Sequence, residues 1–249
     1  MFETMRFSVL PRLAALGLLA ALAAGCTRSD VPAGETPDPF ENVNRSVHAF
    51  NKGLDRNVLR PSSDVYVTAV PQPARKGISN GVNTLSQPVY FANHLLQGDI
   101  EDAGGALTRF LLNGFFGLGG MLDVASEAGV FDNPTDFGET MAVWGVPSGP
   151  YVELPVFGPS TVRDSFGRVV DRVGDPVPGA LPDGSTGYLV AAEVADVLQI
   201  RSDLGRVIDA LLYESADSYA AARIAYLQNR SRAANDGVSA EELENPYDF

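Results

Sequence analysis

Apolar positions recur along most of this chain at helical spacing, and the breaks in that pattern are as telling as the pattern. The first apolar run, Leu13 to Ala24, is almost entirely Leu and Ala; Arg6 and Arg12 precede it, and Leu22-Ala23-Ala24-Gly25-Cys26 closes it. A charged start, a short apolar core and small residues at the cut are the layout of a secretory signal over residues 1–25. About a dozen apolar residues are too few to cross the roughly 30 Å of a bilayer core as a helix. Residues 26–37 are polar and contain Pro and Gly, which reads as a flexible tether.

A helical pattern then starts abruptly. Asp38-Pro39-Phe40-Glu41 offers a capping carboxylate, a proline at the first helical position and a glutamate three residues after the cap. Phe40, Val43, Val47, Phe50, Leu54 and Val58 follow at steps of three and four, predicting a helix that ends near Pro61. Its other face carries Asn44, Arg45, His48, Asn51, Lys52 and Asp55. The pattern alone fits an ordinary surface helix equally well. Pro73 opens a second helix with Ala74, Ile78, Val82 and Leu85 on one face, and Gln87-Pro88 opens a third that stops at Gly98. Asp99 caps a fourth, which runs to Asn113 with Gly114 as its terminator.

Two stretches depart from this rhythm. Phe110 to Val124 is nearly all apolar, yet it holds Gly114, Gly117, Gly119 and Gly120, each costing about 1 kcal/mol in a helix relative to alanine. Asn113 and Asp123 also interrupt it as a membrane span. Broken backbone at membrane depth needs surrounding protein or water, and a glycine-rich junction inside a soluble core is the alternative. Residues 143–155 place short apolar pieces on either side of Pro147-Ser148-Gly149-Pro150, which predicts a hairpin or an extended loop. Ser160 caps a further helix marked by Val162, Phe166, Val169 and Val173. After a Pro/Gly-rich connection over 176–187, helical periodicity returns from Tyr188 to about Leu212 and from Asp217 to Asn229. The reading is a mainly α domain over 38–230, without internal repeats, followed by an acidic tail of disordered composition over 231–249.

Charge narrows the partners. The chain has 18 basic and 31 acidic residues; losing Arg6, Arg12 and Glu3 with the signal leaves 16 and 30, a net charge of −14. That argues against nucleic acid, and against electrostatic attachment to anionic headgroups. Membrane contact would therefore be hydrophobic or through an anchor. Cys26 is the only cysteine, so no disulfide within the chain is possible.

Catalytic motifs are present only in fragments. Gly77-Ile78-Ser79-Asn80-Gly81 matches the G-x-S-x-G elbow of lipid hydrolases, but Pro71-Gln72-Pro73-Ala74-Arg75-Lys76 stands where a strand should lead in. His94 is the one histidine downstream, and His48 lies upstream. Asp136-Phe137-Gly138 copies a kinase tripeptide without its companion loops, and the glycines of 114–120 lack the Lys and Ser/Thr of a P-loop. No metal-ligand spacing is visible. No cofactor or catalytic residue is expected.

Several longer motifs carry a specific resemblance. Asp38 to Arg45 (D-P-F-E-N-V-N-R), Val70 to Asn80 (V-P-Q-P-A-R-K-G-I-S-N), Leu96 to Asp99 (L-Q-G-D), Thr108 to Asn113 (T-R-F-L-L-N), Gly117 to Ala125 (G-L-G-G-M-L-D-V-A) and Gly149 to Asp164 (G-P-Y-V-E-L-P-V-F-G-P-S-T-V-R-D) stand in order. They resemble the MlaA, or VacJ-type, family of outer-membrane lipoproteins. The resemblance implies that Cys26 is lipidated, with Thr27 after it in place of the aspartate of inner-membrane retention. It also implies a ring of amphipathic helices embedded in the outer membrane around a central pore, with a small hairpin near it. The implied function is removal of mislocalised phospholipids from the outer leaflet and their transfer to a periplasmic carrier of the Mla pathway, beside a trimeric porin. Arg109 and Asp123, charged within apolar surroundings, are the leading pore candidates, with a local ion pair bracing the fold as the alternative. Asn44, Arg45, Phe50 and Asn51 on the first helix are further candidates for pore or lipid contact, and Gly145, Gly149 and Tyr151 for the pore-proximal hairpin. A porin-bound scaffold without transport and a lipid hydrolase using Ser79 are the competing readings.

Overall fold

Residues 36–235 are described by the structure, a computed structural model. The signal, Cys26 and residues 236–249 lie outside them. Helices dominate, with a single two-stranded sheet among the described residues.

The first helix, α1 (Glu41–Leu54), starts two residues later than a cap at Asp38 would place it. Asp38 is engaged elsewhere: its carboxylate accepts from Asn44 at 2.8 Å and from the hydroxyl of Tyr219. Nor does the helix end at Pro61. A π-helical turn (Asp55–Leu59) leads straight into α2 (Arg60–Ala69). That turn shifts the hydrogen-bond register just before Pro61, at the start of α2, where a missing N–H costs little.

Residues 72–97 form one helix, α3 (Gln72–Gln97), rather than the two expected, and Pro88 lies inside it. Beside that proline, the amide nitrogen of Gln87 donates to Asn83 and, at 2.8 Å, to Asp132. These bonds hold the backbone in line past the N–H that Pro88 lacks. Gly98 ends α3 in the left-handed conformation (φ +83°), and Asp99 caps α4 (Ile100–Phe116) by accepting from the N–H of Asp102. Helix α4 runs through Gly114 and ends at Gly117, where a Cβ would sit 2.2 Å from the carbonyl oxygen of Leu122. Gly120, at φ +95°, packs against Thr84 with no room for a side chain. The glycines therefore mark a tight junction, and Asp123 restarts the chain by capping the short α5 (Val124–Glu127).

Helix α6 (Phe137–Val143) is capped by Asp136. The hairpin follows, but not around Pro147-Ser148-Gly149-Pro150: strand β1 (Tyr151–Leu154) pairs antiparallel with β2 (Gly158–Thr161). Pro147 to Pro150 instead lie along the start of α7 (Val162–Gly174), where Arg163 and Val162 donate to the carbonyls of Ser148 and Pro150. The cap of α7 is Thr161, the last residue of β2, whose hydroxyl accepts from the N–H of Asp164, and not Ser160. Short α8 (Val177–Ala180), long α9 (Thr186–Asp203), α10 (Gly205–Asp209), a second π-turn (Ala210–Glu214) and α11 (Ser218–Asn235) complete the order. Helix α11 takes in the first five residues of the expected tail, 231–235. No helix among the described residues is long and apolar enough to cross a membrane.

Candidate functional site

Burial in this protein is inverted. Among the described residues, seventeen buried side chains are polar or charged and seven are hydrophobic, three of those alanines. Large apolar side chains lie outside, in helical stripes: Leu107, Leu111 and Phe115 on α4, Phe166, Val169 and Val173 on α7, Val190, Val194 and Val197 on α9. A water-soluble domain sorts these classes the other way. Buried polar groups demand partners, and four clusters gather many of them here.

The first cluster joins α1 to the hairpin. Asn44 donates to the carbonyl of Tyr151 at 3.1 Å and accepts from the N–H of Glu153 at 2.9 Å. Two turns on, Asn51 donates to Leu154 O at 3.0 Å and accepts from Val156 N at 2.8 Å. The two amides thus pair with β1 and the turn that follows it as a neighbouring strand would, one donor and one acceptor each. Between them His48 Nδ1 meets Glu153 at 3.0 Å, while its Nε2 faces the hydroxyl of Ser218. Tyr151, fully buried, donates to the other oxygen of Glu153. Arg45 lies outside this cluster, paired with Glu41 and Asp217 and stacked over the ring of Tyr219. The hydrogen bond from Arg45 holds the Asp217 carboxyl down at about 2. Phe50 points away from all of them and is 55% exposed.

The second cluster contains Arg109 and Asp123. Arg109 is 3% exposed; it meets Asp123 at 3.2 Å and Asp132 at 3.5 Å, and donates to Val130 O at 2.7 Å. Asn113 donates to Asp123 and accepts from the N–H of Ala125. The pair ties α3 and α4 to the glycine-rich junction, and only Asp123 reaches open space. Gly145 and Gly149 both have positive φ, +81° and +67°, at the bends that lead from α6 into β1.

The other two clusters had no sequence signal. In one, Arg201 of α9 makes a two-pronged contact with Asp55 at 2.6 and 3.0 Å, a further bond to Asp209, and shares Asp55 with the hydroxyl of Tyr213. In the other, Arg230 of α11 gathers Asp136, Glu139 and Asp164 within 3.1 Å. Their bonded members lie up to 158 residues apart, so spacing could not reveal them.

A cavity of about 660 Å³ lies between α2, α3 and α9. Most of its lining residues are polar and they carry both signs of charge, Arg75 and Lys76 with Asp123 and Asp203, and Gln72 and Ser202 are among its neutral members. Ser79 also borders it, but lies inside α3, so the Gly77-to-Gly81 match is a helical segment and not a nucleophile elbow. The Ser79 hydroxyl has no hydrogen-bond partner among the described residues.

The family model for "MlaA lipoprotein" matches residues 36–233. The chain belongs to the MlaA lipoprotein family. It is 36% identical to the "Intermembrane phospholipid transport system lipoprotein MlaA" of Escherichia coli (strain K12), over 94% of this chain and 93% of that protein. The protein of the same name from Haemophilus influenzae is 35% identical over 91% of this chain and 92% of its own length. A solved structure reported as "Structural basis for maintenance of bacterial outer membrane lipid asymmetry" is similar with a TM-score of 0.68 and 33% identity. It covers 80% of this chain and 99% of its own. The mainly α fold with one small hairpin is thus common to the family.

Proposed function

We propose that this protein takes mislocalised phospholipid from the outer leaflet of an outer membrane and passes it to a periplasmic carrier. In this reading Cys26 is the lipid anchor, the helices form a ring lying in the membrane beside a trimeric porin, and the carrier returns the lipid inward. The observation that carries it is the inverted burial: apolar stripes outside and charged clusters inside are what a protein surrounded by acyl chains requires. The relatives, named as lipoproteins of an intermembrane phospholipid transport system, support the same reading.

Moving a phospholipid out of its leaflet requires its headgroup to cross apolar surroundings, and a polar wall lowers that cost by replacing water. The cavity beside α3 offers such a wall. Arg75 and Lys76 suit a phosphate, and Asp123 and Asp203 suit an amine, so a zwitterionic headgroup finds both complements in one space. Acyl chains meanwhile remain against the apolar perimeter. The step breaks no bond and consumes no cofactor, so net direction comes from the carrier that removes lipid.

The test is phospholipid in the outer leaflet of cells lacking the protein. Surface phospholipid is expected to rise in those cells, to fall when the wild-type chain is restored, and to stay high with Cys26→Ala. An unchanged surface in cells lacking the protein would contradict the transport reading and favour a scaffold.

A further inference from the structure

Folding brings His94, Asp99 and Asp102 together where α3 turns into α4, although the sequence shows no metal-ligand spacing. Each offers one ligand atom, and the three atoms lie within 4.8 Å of one another. His94 is 3% exposed. Its Nε2 lies 3.0 Å from the carbonyl oxygen of Asn133. A carbonyl only accepts, so Nε2 carries the proton and Nδ1 holds the lone pair. That Nδ1 is buried and receives no hydrogen bond among the described residues. Leaving such an acceptor empty in a buried place is costly. Asp99 and Asp102, the carboxylates gathered with this imidazole, have no proton to donate when ionised.

The two carboxylates are held in place from behind. Asp99 Oδ1 accepts from Asp102 N at 3.0 Å as the cap of α4, and Asp102 Oδ2 accepts from the amide of Asn133 at 2.7 Å. One oxygen of each is left over. Asn133 therefore orients two of the three ligands, His94 through its carbonyl and Asp102 through its side chain, as outer partners do around bound metals. The group borders a cavity of about 590 Å³ shared with Asp136, Glu139 and Arg230. Arg230 is occupied by Asp136, Glu139 and Asp164, so it does not supply the missing positive charge.

We propose that His94 Nδ1, Asp99 and Asp102 bind a divalent transition-metal ion of the Zn²⁺ class. Three converging acceptors with no donor among them are satisfied by a cation. An imidazole nitrogen in the set favours Zn²⁺ over Mg²⁺ and Ca²⁺, which take oxygen ligands, and over Mn²⁺ by intrinsic affinity. Water from the cavity completes the coordination. The ion fastens the end of α3 to the start of α4 and to the segment at Asn133. This inference does not rest on the transport reading.

The test uses the full chain in detergent, stripped with chelator and titrated calorimetrically with Zn²⁺. About one equivalent is expected to bind and to raise the thermal midpoint, and Co²⁺ in its place should show visible absorption from nitrogen and oxygen ligation. His94→Gln and Asp102→Asn should each weaken Zn²⁺ binding by about tenfold or more, consistent with loss of a ligand. Asp102→Asn is near-isosteric, so it carries the result if His94→Gln does not fold. The proposal is overturned if the folded wild-type chain takes up no Zn²⁺, or if folded Asp102→Asn takes it up with unchanged affinity.

Discussion

Asp55 and Arg201 show what a polar interior demands of single residues. Both side chains are 7% exposed, and each supplies the other's main partner. Removing Asp55 takes the two-pronged partner from Arg201 and leaves it Asp209 alone, a loss of about 1.5–3 kcal/mol, the worth of hydrogen bonds to a charged group. Asp55→Ala is therefore expected to lower stability by that amount in a denaturant titration of the detergent-solubilised protein; a change under 1 kcal/mol would mean that water already screens the pair. At this scale the sequence was half legible. Arg109 and Asp123 stood out because their neighbours are apolar, and they do meet. Arg201 lies in a helical run with no such contrast, and the side chain that completes it is 146 residues away. His94 was equally silent, since its companions Asp99 and Asp102 lie beyond a helix end and gather only once Gly98 has turned the chain.

Helix existence was readable from periodicity, but helix ends were not. Proline and glycine normally punctuate, yet Pro61, Pro88 and Gly114 are all passed through. Pro61 is tolerated because it falls at the start of α2, while beside Pro88 the bond from Gln87 to Asp132 ties the helix to its neighbours. Of the two readings of Pro147-Ser148-Gly149-Pro150, hairpin or extended loop, the structure has the loop; the hairpin turns later, with Val156 at φ +73°, a position glycine would ordinarily claim. Just before the hairpin, Trp144 offers a direct view of an element's surroundings. It is the only tryptophan, half exposed at the end of α6, with its indole N–H donating to Leu96 O at 2.9 Å. An apolar ring anchored by its polar edge suits a membrane boundary. Phospholipids brominated on their acyl chains should quench its fluorescence in reconstituted vesicles, whereas equal emission in brominated and ordinary lipid would place α6 away from the acyl chains.

Across the whole molecule, one partition explains features that look unrelated along the sequence. The chain is strongly acidic, with a net charge of −13, so anionic headgroups would repel it, and yet its outer surface carries stripes of large apolar side chains. Hydrophobic contact with acyl chains reconciles the two, and no helix among the described residues needs to span the bilayer for that contact to form. Inside, ion pairs and amides hold helices together without a conventional apolar core, leaving a two-signed cavity beside α3. The most direct test follows a labelled phospholipid between the leaflets of vesicles that contain the inserted protein, with wild-type and Lys76→Glu compared. If the polar cavity is the headgroup's passage, wild-type protein speeds equilibration over protein-free vesicles and Lys76→Glu slows it several-fold. Equal rates with inserted wild-type, inserted Lys76→Glu and no protein at all would contradict it.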